Sequence, residues 1–394
     1  MRDAAVLAGG VPYRQALGND DAVSELIDRS PRVSTLELFF DLVFVFTVTQ
    51  LTGVLVAGSG AATVHVLVML ALIWWMYDGY AWLTNAIATD LVRFRLLLLG
   101  GMGGFLVIAL AIPNAYEGEG LAFGIGYLVV VLLHAGMYAK GTSVSEVAAI
   151  LRIVPYNLTA ALLVLVGGIG GGRMQDALWL LAALLLWVTP WFASTEGFVI
   201  EARHFVERHG LVIIIALGES IVVIGAGATT SHVDLDLVVV ALLSLALSAS
   251  LWWLYFRDEE PVERAMVEAP TSRRARLALV AFGYWHYGLI LGVVGVSAGL
   301  KKSVGHPYDP LDGWIGSELA VGVALFVACT AGFTATLGLG IRRVRLAAAA
   351  LVLLTIPVGT EWTAAGEIAL LTAIVAAALA LEGRRAVDLV QRAR

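Results

Sequence analysis

After Leu36 the chain is a succession of long apolar runs, each closed by a short stretch carrying charge, glycine or proline. Read as hydrophobic segments, the runs predict helices near 36–57, 62–85, 93–113, 121–140, 146–169, 174–194, 207–228, 235–256, 275–300, 315–338, 341–358 and 362–382. Each is close to the ~20 residues that cross a hydrocarbon core of ~30 Å. None alternates with period two as a half-buried strand would. Backbone inside a bilayer must satisfy its own hydrogen bonds, so spans this rich in Leu, Ala and Gly are helical. The pattern predicts an all-α, polytopic integral membrane protein of about twelve transmembrane helices. In the fifth, Arg152, Pro155 and Asn157 interrupt the first half and predict a bent or broken span.

The polar positions that remain inside these runs carry the chemistry. In "LELFFDLVFVFTVTQL" (36–51), Glu37 and Asp41 are four residues apart and share a helix face. Gln50 lies half a turn round and ~13 Å deeper. Glu219 follows His209 by ten residues, ~15 Å inside its span, which places it near the bilayer midplane. Ionisable groups at such depth are costly and by default mark a substrate or proton path, the bland reading being a hydrogen-bonded tie between helices. The second helix ends in Trp74, Trp75, Tyr77, Asp78, Trp82 and Asn85, and the third opens with Arg93 and Arg95. This group is the expected partner for Asp41. A buried Asp–Arg pair looks the same whether it is structural or functional, and for Asp78, Arg93 and Arg95 structure or topology is favoured. His134 and His286 are lone intramembrane histidines, for which packing with one hydrogen bond outweighs proton relay. Gly100 and Gly104 fit small-xxx-small helix packing.

Charge orients the spans. Of the 25 Lys and Arg residues, 22 fall on the side of the N-terminus and only Arg173, Lys301 and Lys302 on the other. Basic residues accumulate on cytoplasmic loops, so both termini are expected in the cytoplasm, around an inner (plasma) membrane crossed an even number of times. The first 30 residues show no basic segment followed by an apolar one, hence no cleavable signal peptide is expected.

Twelve spans invite division into two sixes. "DLVFVFTVTQL" (41–51) aligns without gaps on "GLVIIIALGES" (210–220), setting Gln50 opposite Glu219. "WWMYD" (74–78) then matches "WWLYF" (252–256), and "RFRLLLL" (93–99) matches "RARLALV" (274–280). These pairs predict parallel six-helix repeats at 34–194 and 195–382, related by an axis along the membrane normal. A polar cytoplasmic segment, 1–33, and a cytoplasmic tail, 383–394, flank them.

Composition agrees and narrows the classes. Of 394 residues, 59% are hydrophobic and 14% charged, against about a quarter charged in soluble domains. The mean hydropathy is +0.86. A net charge of −6 with no basic stripe among aromatics argues against nucleic acid. The single cysteine, Cys329, lies in an apolar run, which excludes an internal disulfide and a Cys-rich metal site. No HExxH, GxSxG or CxxC occurs, and "GGIGGG" (167–172) lacks the Lys-Ser/Thr of a phosphate loop. "HFVERHG" (204–210) holds His204, Glu207 and His209, but with no second cluster it reads as juxtamembrane charge, not a metal site. No catalytic residue, metal or cofactor is indicated.

The segment 36–51 together with "ERHGLVIIIALGES" (207–220) resembles the low-temperature-requirement protein A family of bacterial membrane proteins, with a fitting hydropathy profile over about 30–385. Its Glu-x-x-x-Asp corresponds to Glu37 and Asp41. Its Glu-Arg-His-Gly and Leu-Gly-Glu-Ser correspond to Glu207, Arg208, His209, Gly210 and Leu217, Gly218, Glu219, Ser220. The resemblance implies an association with growth in the cold and supplies no biochemical activity. "FFDLVFVF" is also similar, over one short segment, to the Phe-Ser-Asp first-helix motif of the lysosomal potassium channel family, which implies two six-span repeats and a pore lined by first helices; Phe40 stands in place of the serine.

The leading expectation is therefore a transporter or channel for a small ion or solute, with proton coupling as one form of it. Glu37, Asp41, Gln50, Asp78, Glu207, Arg208, His209, Glu219 and Ser220 would form the path or its buried polar network. Trp75, Tyr77, Asn85, Arg93, Arg95 and His286 would support it. Glu219 is the carboxylate expected to change protonation. A membrane-embedded enzyme acting on a lipid or lipophilic substrate and a non-transporting scaffold are the alternatives. Expected partners are the lipid bilayer and the small solute, with a homo-oligomer left open.

Overall fold

The computed structural model describes residues 33–392, apart from 59, 88–90, 142–143, 193–195, 228–232, 312 and 341. The expected segment 1–33 thus lies, but for residue 33, outside the described residues. Helices are α1 Thr35–Ala57, α2 Gly60–Ala86, α3 Val92–Ala111, α4 Gly120–Gly141, α5 Val144–Gly170, α6 Gly172–Phe192, α7 Ala202–Gly227 and α8 Leu235–Phe256. They continue as α9 Glu259–Glu268, α10 Thr271–Ala278, a π-helical segment Leu279–Tyr284, α11 Trp285–Gly305, α12 Gly313–Thr336, α13 Arg343–Leu353, α14 Ile356–Glu361 and α15 Ala364–Arg392. Twelve helical stretches are long and apolar enough to cross a membrane, and no strand occurs among the described residues. The protein is an all-α polytopic membrane protein.

Three boundaries depart from the hydrophobic pattern. Α5 runs unbroken through Pro155, and Asn157 gives its side chain to the indole N–H of Trp75 at 3.1 Å instead of to the local backbone. The break comes in the eleventh span, where α13 ends at Leu353 and α14 restarts at Ile356 with Pro357 in its first turn. Proline is tolerated there because the first-turn N–H groups have no partner within the helix. Finally, α7 starts at Ala202, five residues before the apolar run does. His204, Arg208 and His209 are buried, so what reads as juxtamembrane charge is the first buried turns of a span.

Packing within the two halves follows one scheme. Α1 lies against α2 and α3, then α3 against α4, α4 against α5 and α5 against α6, while α2 touches both α4 and α6. In the second half α7 lies against α8 and α11, α11 against α12, α12 against α13, and α13 and α14 against α15, while α8 touches both α12 and α15. The halves meet where α1 and α2 pack on α7 and α11. The polar groups of the first and seventh spans therefore face one another across this seam.

Close backbone approach holds α11 to α12. A Cβ on Gly322 would sit 2.7 Å from the carbonyl oxygen of Gly292 and 2.7 Å from the amide nitrogen of Val296. Backbone cannot yield as a flexible side chain does, and small residues are what allow such approach between membrane helices. Gly322→Ala is expected to destabilise by about 1–3 kcal/mol, seen as a lower thermal midpoint in detergent. Gly103→Ala, where an added Cβ meets nothing within 4 Å, is the control, expected to be neutral or slightly stabilising.

Candidate functional site

The site grows from the first turn of α1. Ser34 caps the helix: its hydroxyl accepts the Glu37 N–H at 3.3 Å, and Glu37 Oε2 accepts the Ser34 N–H at 2.8 Å, a reciprocal capping box. Glu37 is thus fixed by its own helix before any tertiary contact. One turn on, on the same face, Asp41 is fully buried.

Both carboxylates meet one cation. Arg208, 1% exposed, places Nη1 3.1 Å from Glu37 Oε1 and donates through Nη2 to Asp41 Oδ1 at 3.0 Å. The first contact is an ion pair too far off line for a hydrogen bond, which leaves Glu37 Oε1 and Asp41 Oδ2 without a hydrogen-bond partner. The Tyr77 hydroxyl donates to Asp41 Oδ1 at 2.7 Å, and the guanidinium lies over the rings of Phe40 and Tyr77. Two buried acids therefore share a single guanidinium. The expected partners, Arg93 and Arg95, are exposed, and Arg93 lies over the Phe94 ring. The cation for Asp41 comes from α7, not from the start of α3.

The histidines can be assigned from hydrogen bonds alone. Asn85 exchanges two bonds with the Glu201 backbone, its Oδ1 accepting the N–H and its Nδ2 donating to the C=O, each at 2.9 Å. That fixes the amide orientation and turns Nδ2 toward His204 Nδ1 at 3.2 Å, which must accept. Nε2 of His204 then donates to Glu37 Oε2 at 3.4 Å, and the ring is neutral. In His209, Nδ1 faces the Phe205 carbonyl at 2.8 Å and must donate. Its Nε2 faces Asp78 Oδ1 at 3.1 Å, so that contact needs a proton from one side or the other. Asp78 and His209 together hold either an imidazolium with a carboxylate or a neutral ring with a carboxylic acid.

His286 stands 5.4 Å from His209, ring to ring. Its Nδ1 donates to Ala281 O at 3.0 Å, five residues back in the π-helical segment, and Nε2 accepts from the Tyr255 hydroxyl at 2.8 Å. It is neutral and fully satisfied.

Beyond these groups the seam turns apolar. Phe44, Val48, Val212, Ile213 and Ala216 are buried on α1 and α7. Past them Glu219 Oε2 accepts from the Thr49 hydroxyl at 2.6 Å, with Oε1 buried and unpartnered. Ser220 bonds to Ser297 of α11 at 3.0 Å. Glu219 lies seventeen residues past Ala202, about 25 Å along the helix. Thr49, not the half-buried Gln50, meets Glu219. Glu207 is exposed and stands outside the network.

Asp78 also borders a partly open cavity of about 80 Å³ lined mainly by α2, α4, α5 and α6, with Phe198 and Leu279. Trp75, Trp82, His134, Tyr138 and Asn157 are among its walls. Among the described residues no three His, Cys, Asp or Glu converge as metal ligands do.

A second buried charge cluster had no sequence signal. Arg345, 1% exposed, pairs with Asp258 and with Glu382, while Arg342 reaches Asp258 at 3.0 Å and Arg257 reaches Glu382 at 3.3 Å. In the sequence Arg342, Arg345 and Glu382 fall at the edges of the runs 341–358 and 362–382, and Arg257 and Asp258 just after 235–256; here they tie α8, α13 and α15 together.

The profile of a family described as bacterial low temperature requirement A protein (LtrA) matches residues 32–380. The uncharacterized protein RA0937 of Rhizobium meliloti (strain 1021) is 30% identical over 294 residues, which is 71% of each chain. No solved structure matches. Neither match supports the likeness to the lysosomal potassium channels.

Proposed function

Because this chain belongs to the bacterial LtrA family of multi-pass membrane proteins, we propose that the buried network between its two halves is the working site of a proton-coupled transporter of a small solute. One observation carries this reading. The proton held between Asp78 and His209 lies at the seam of the halves, and Asp78 borders a cavity on its other side. A group that holds a proton and also faces a solute space is what coupling requires. The apolar layer of Phe44, Val48 and Ile213 between Asp41 and Glu219 favours a transporter over an open channel, which would need a continuous polar file. Glu219, with one oxygen unpartnered beyond that layer, is the second proton-carrying candidate.

The repeated neighbour scheme of the halves supports two parallel six-helix repeats. The 22 of 25 basic residues on the N-terminal side support cytoplasmic termini and an inner-membrane location. A part in growth in the cold is what the family's name suggests for this protein.

The test is flux in proteoliposomes with interior pH and potassium dyes, challenged with alkali cations, small amines and small carboxylates. Wild type is expected to move protons when one of these classes is added. Asp78→Asn should reduce that movement about tenfold or more, in line with a coupling group whose loss is worth at least ~1.4 kcal/mol. Traces from wild type that match empty vesicles for every solute would overturn the proposal, and proton-independent potassium flux would replace it with a channel.

A further inference from the structure

We infer that the cavity beside Asp78 binds a small organic monocation, an amine in its ammonium form, with the charge against the Asp78 carboxyl group and the apolar body among Trp75, Trp82, Tyr138 and Phe198. This rests on the transport reading for its biological sense, though not for its chemistry.

The walls select the ligand by what they leave unsatisfied. Asn157 Oδ1 is taken by Trp75, the Thr189 hydroxyl donates to Leu185 O at 2.6 Å, and His134 Nε2 donates to Gly79 O at 3.0 Å. A sugar or other polyol would lose its hydrogen bonds to water and regain few. An anion would meet a carboxyl group with no lysine or arginine in the walls. A wholly apolar guest would strip water from Asp78 without compensation. An ammonium group answers the carboxylate, and four aromatic side chains suit both its charge and its carbon body. The cavity, about 80 Å³, has room for a small guest of this kind.

Behind Asp78 the network sets two carboxyl groups, Glu37 and Asp41, against the single guanidinium of Arg208, and two of their oxygens lack hydrogen bonds, so no spare cation stands on that side to answer Asp78.

Asp78 faces His209 from α7, His134 and Tyr138 from α4, and Asn157 from α5; beyond them His286 of α11 faces His209, and Tyr77 on α2 is bonded to Asp41. Of these, His209 is the group that shares a proton with Asp78. Guest and proton therefore compete for one carboxylate.

The test is binding of radiolabelled ethylammonium to purified full-length protein in lipid nanodiscs, measured without any gradient. Saturable binding is expected in wild type. Asp78→Asn should weaken it about tenfold or more. Ile153→Phe fills the cavity without touching a charge and should do the same, which guards against a folding defect in the first variant. Gly103→Ala, where an added Cβ meets nothing within 4 Å, should bind as wild type does. No saturable binding in wild type, or binding indifferent to both Asp78→Asn and Ile153→Phe, overturns the inference. Binding without solute-driven flux would leave this site standing and remove the transport reading; flux with other solutes but no ethylammonium binding would do the reverse.

Discussion

Arg208→Met is expected to cost about 3–5 kcal/mol of stability, enough to leave little monodisperse protein after extraction. The methionine nearly fills the space, so the loss is electrostatic. Glu37 and Asp41 are 2% and 0% exposed, and without the guanidinium two carboxylates face each other one helical turn apart with no cation. Removing one partner of a buried ion pair is worse than removing all of them, because the charge left behind has given up water for nothing. The triple variant Glu37→Gln, Asp41→Asn, Arg208→Met should therefore regain most of the lost stability. Thermal unfolding of the single and triple variants by light scattering, in one detergent, decides the point. A single variant as stable as wild type would mean that water reaches the cluster.

The second large effect is at Arg345, and it separates architecture from function. Arg345→Met removes the buried cation shared by Asp258 and Glu382, but Arg342 and Arg257 remain on the same acids with 32% and 22% of their side-chain surface exposed. They offset part of the deficit, so the expected cost is about 3 kcal/mol, the lower end of the range for a broken buried pair. The ion pairs of this cluster join α8, α13 and α15, away from the seam pairs of Glu37, Asp41, Asp78, Arg208 and His209. Flux per folded molecule should be unchanged in Arg345→Met, whereas Asp78→Asn should leave folding nearly intact and stop flux. If Arg345→Met folds normally yet loses flux, the cluster belongs to the transport cycle and the distinction drawn here fails.

The two sites differ in how far the sequence announced them. Glu37 and Asp41 stood out because four residues on a helix return a side chain to the same face, and "STLE" (34–37) even carries the capping box that anchors Glu37. Asp78, Tyr77, Asn85, Arg208 and His209 were named as a group, and they do assemble. The pairing within the group was not readable. Arg93 and Arg95 follow Asp78 closely in the chain, so proximity in sequence favoured them over Arg208, which lies 167 residues from Asp41. Glu207 and Arg208 are adjacent, yet one faces out and the other is buried, because successive helical residues differ by about 100° and only the packing of α7 sets which direction is inward. Asp258, Glu382 and Arg345 gave no signal, since a charge at the edge of an apolar run that will be buried is written no differently from one that stays in water.

What the sequence determined by itself is the class of solvent and the number of spans. Both follow from the free energy of moving apolar side chains and unpaired backbone out of water, a sum that each segment settles within its own twenty or so residues. What only the tertiary structure decided is which helices are neighbours. The partner of Asp41, the proton shared by Asp78 and His209 and the bond from Thr49 to Glu219 depend on α1, α2 and α7 lying together, and the cavity beside Asp78 on α2 lying against α4 and α6. That arrangement arises from close packing between distant segments, which no local pattern encodes.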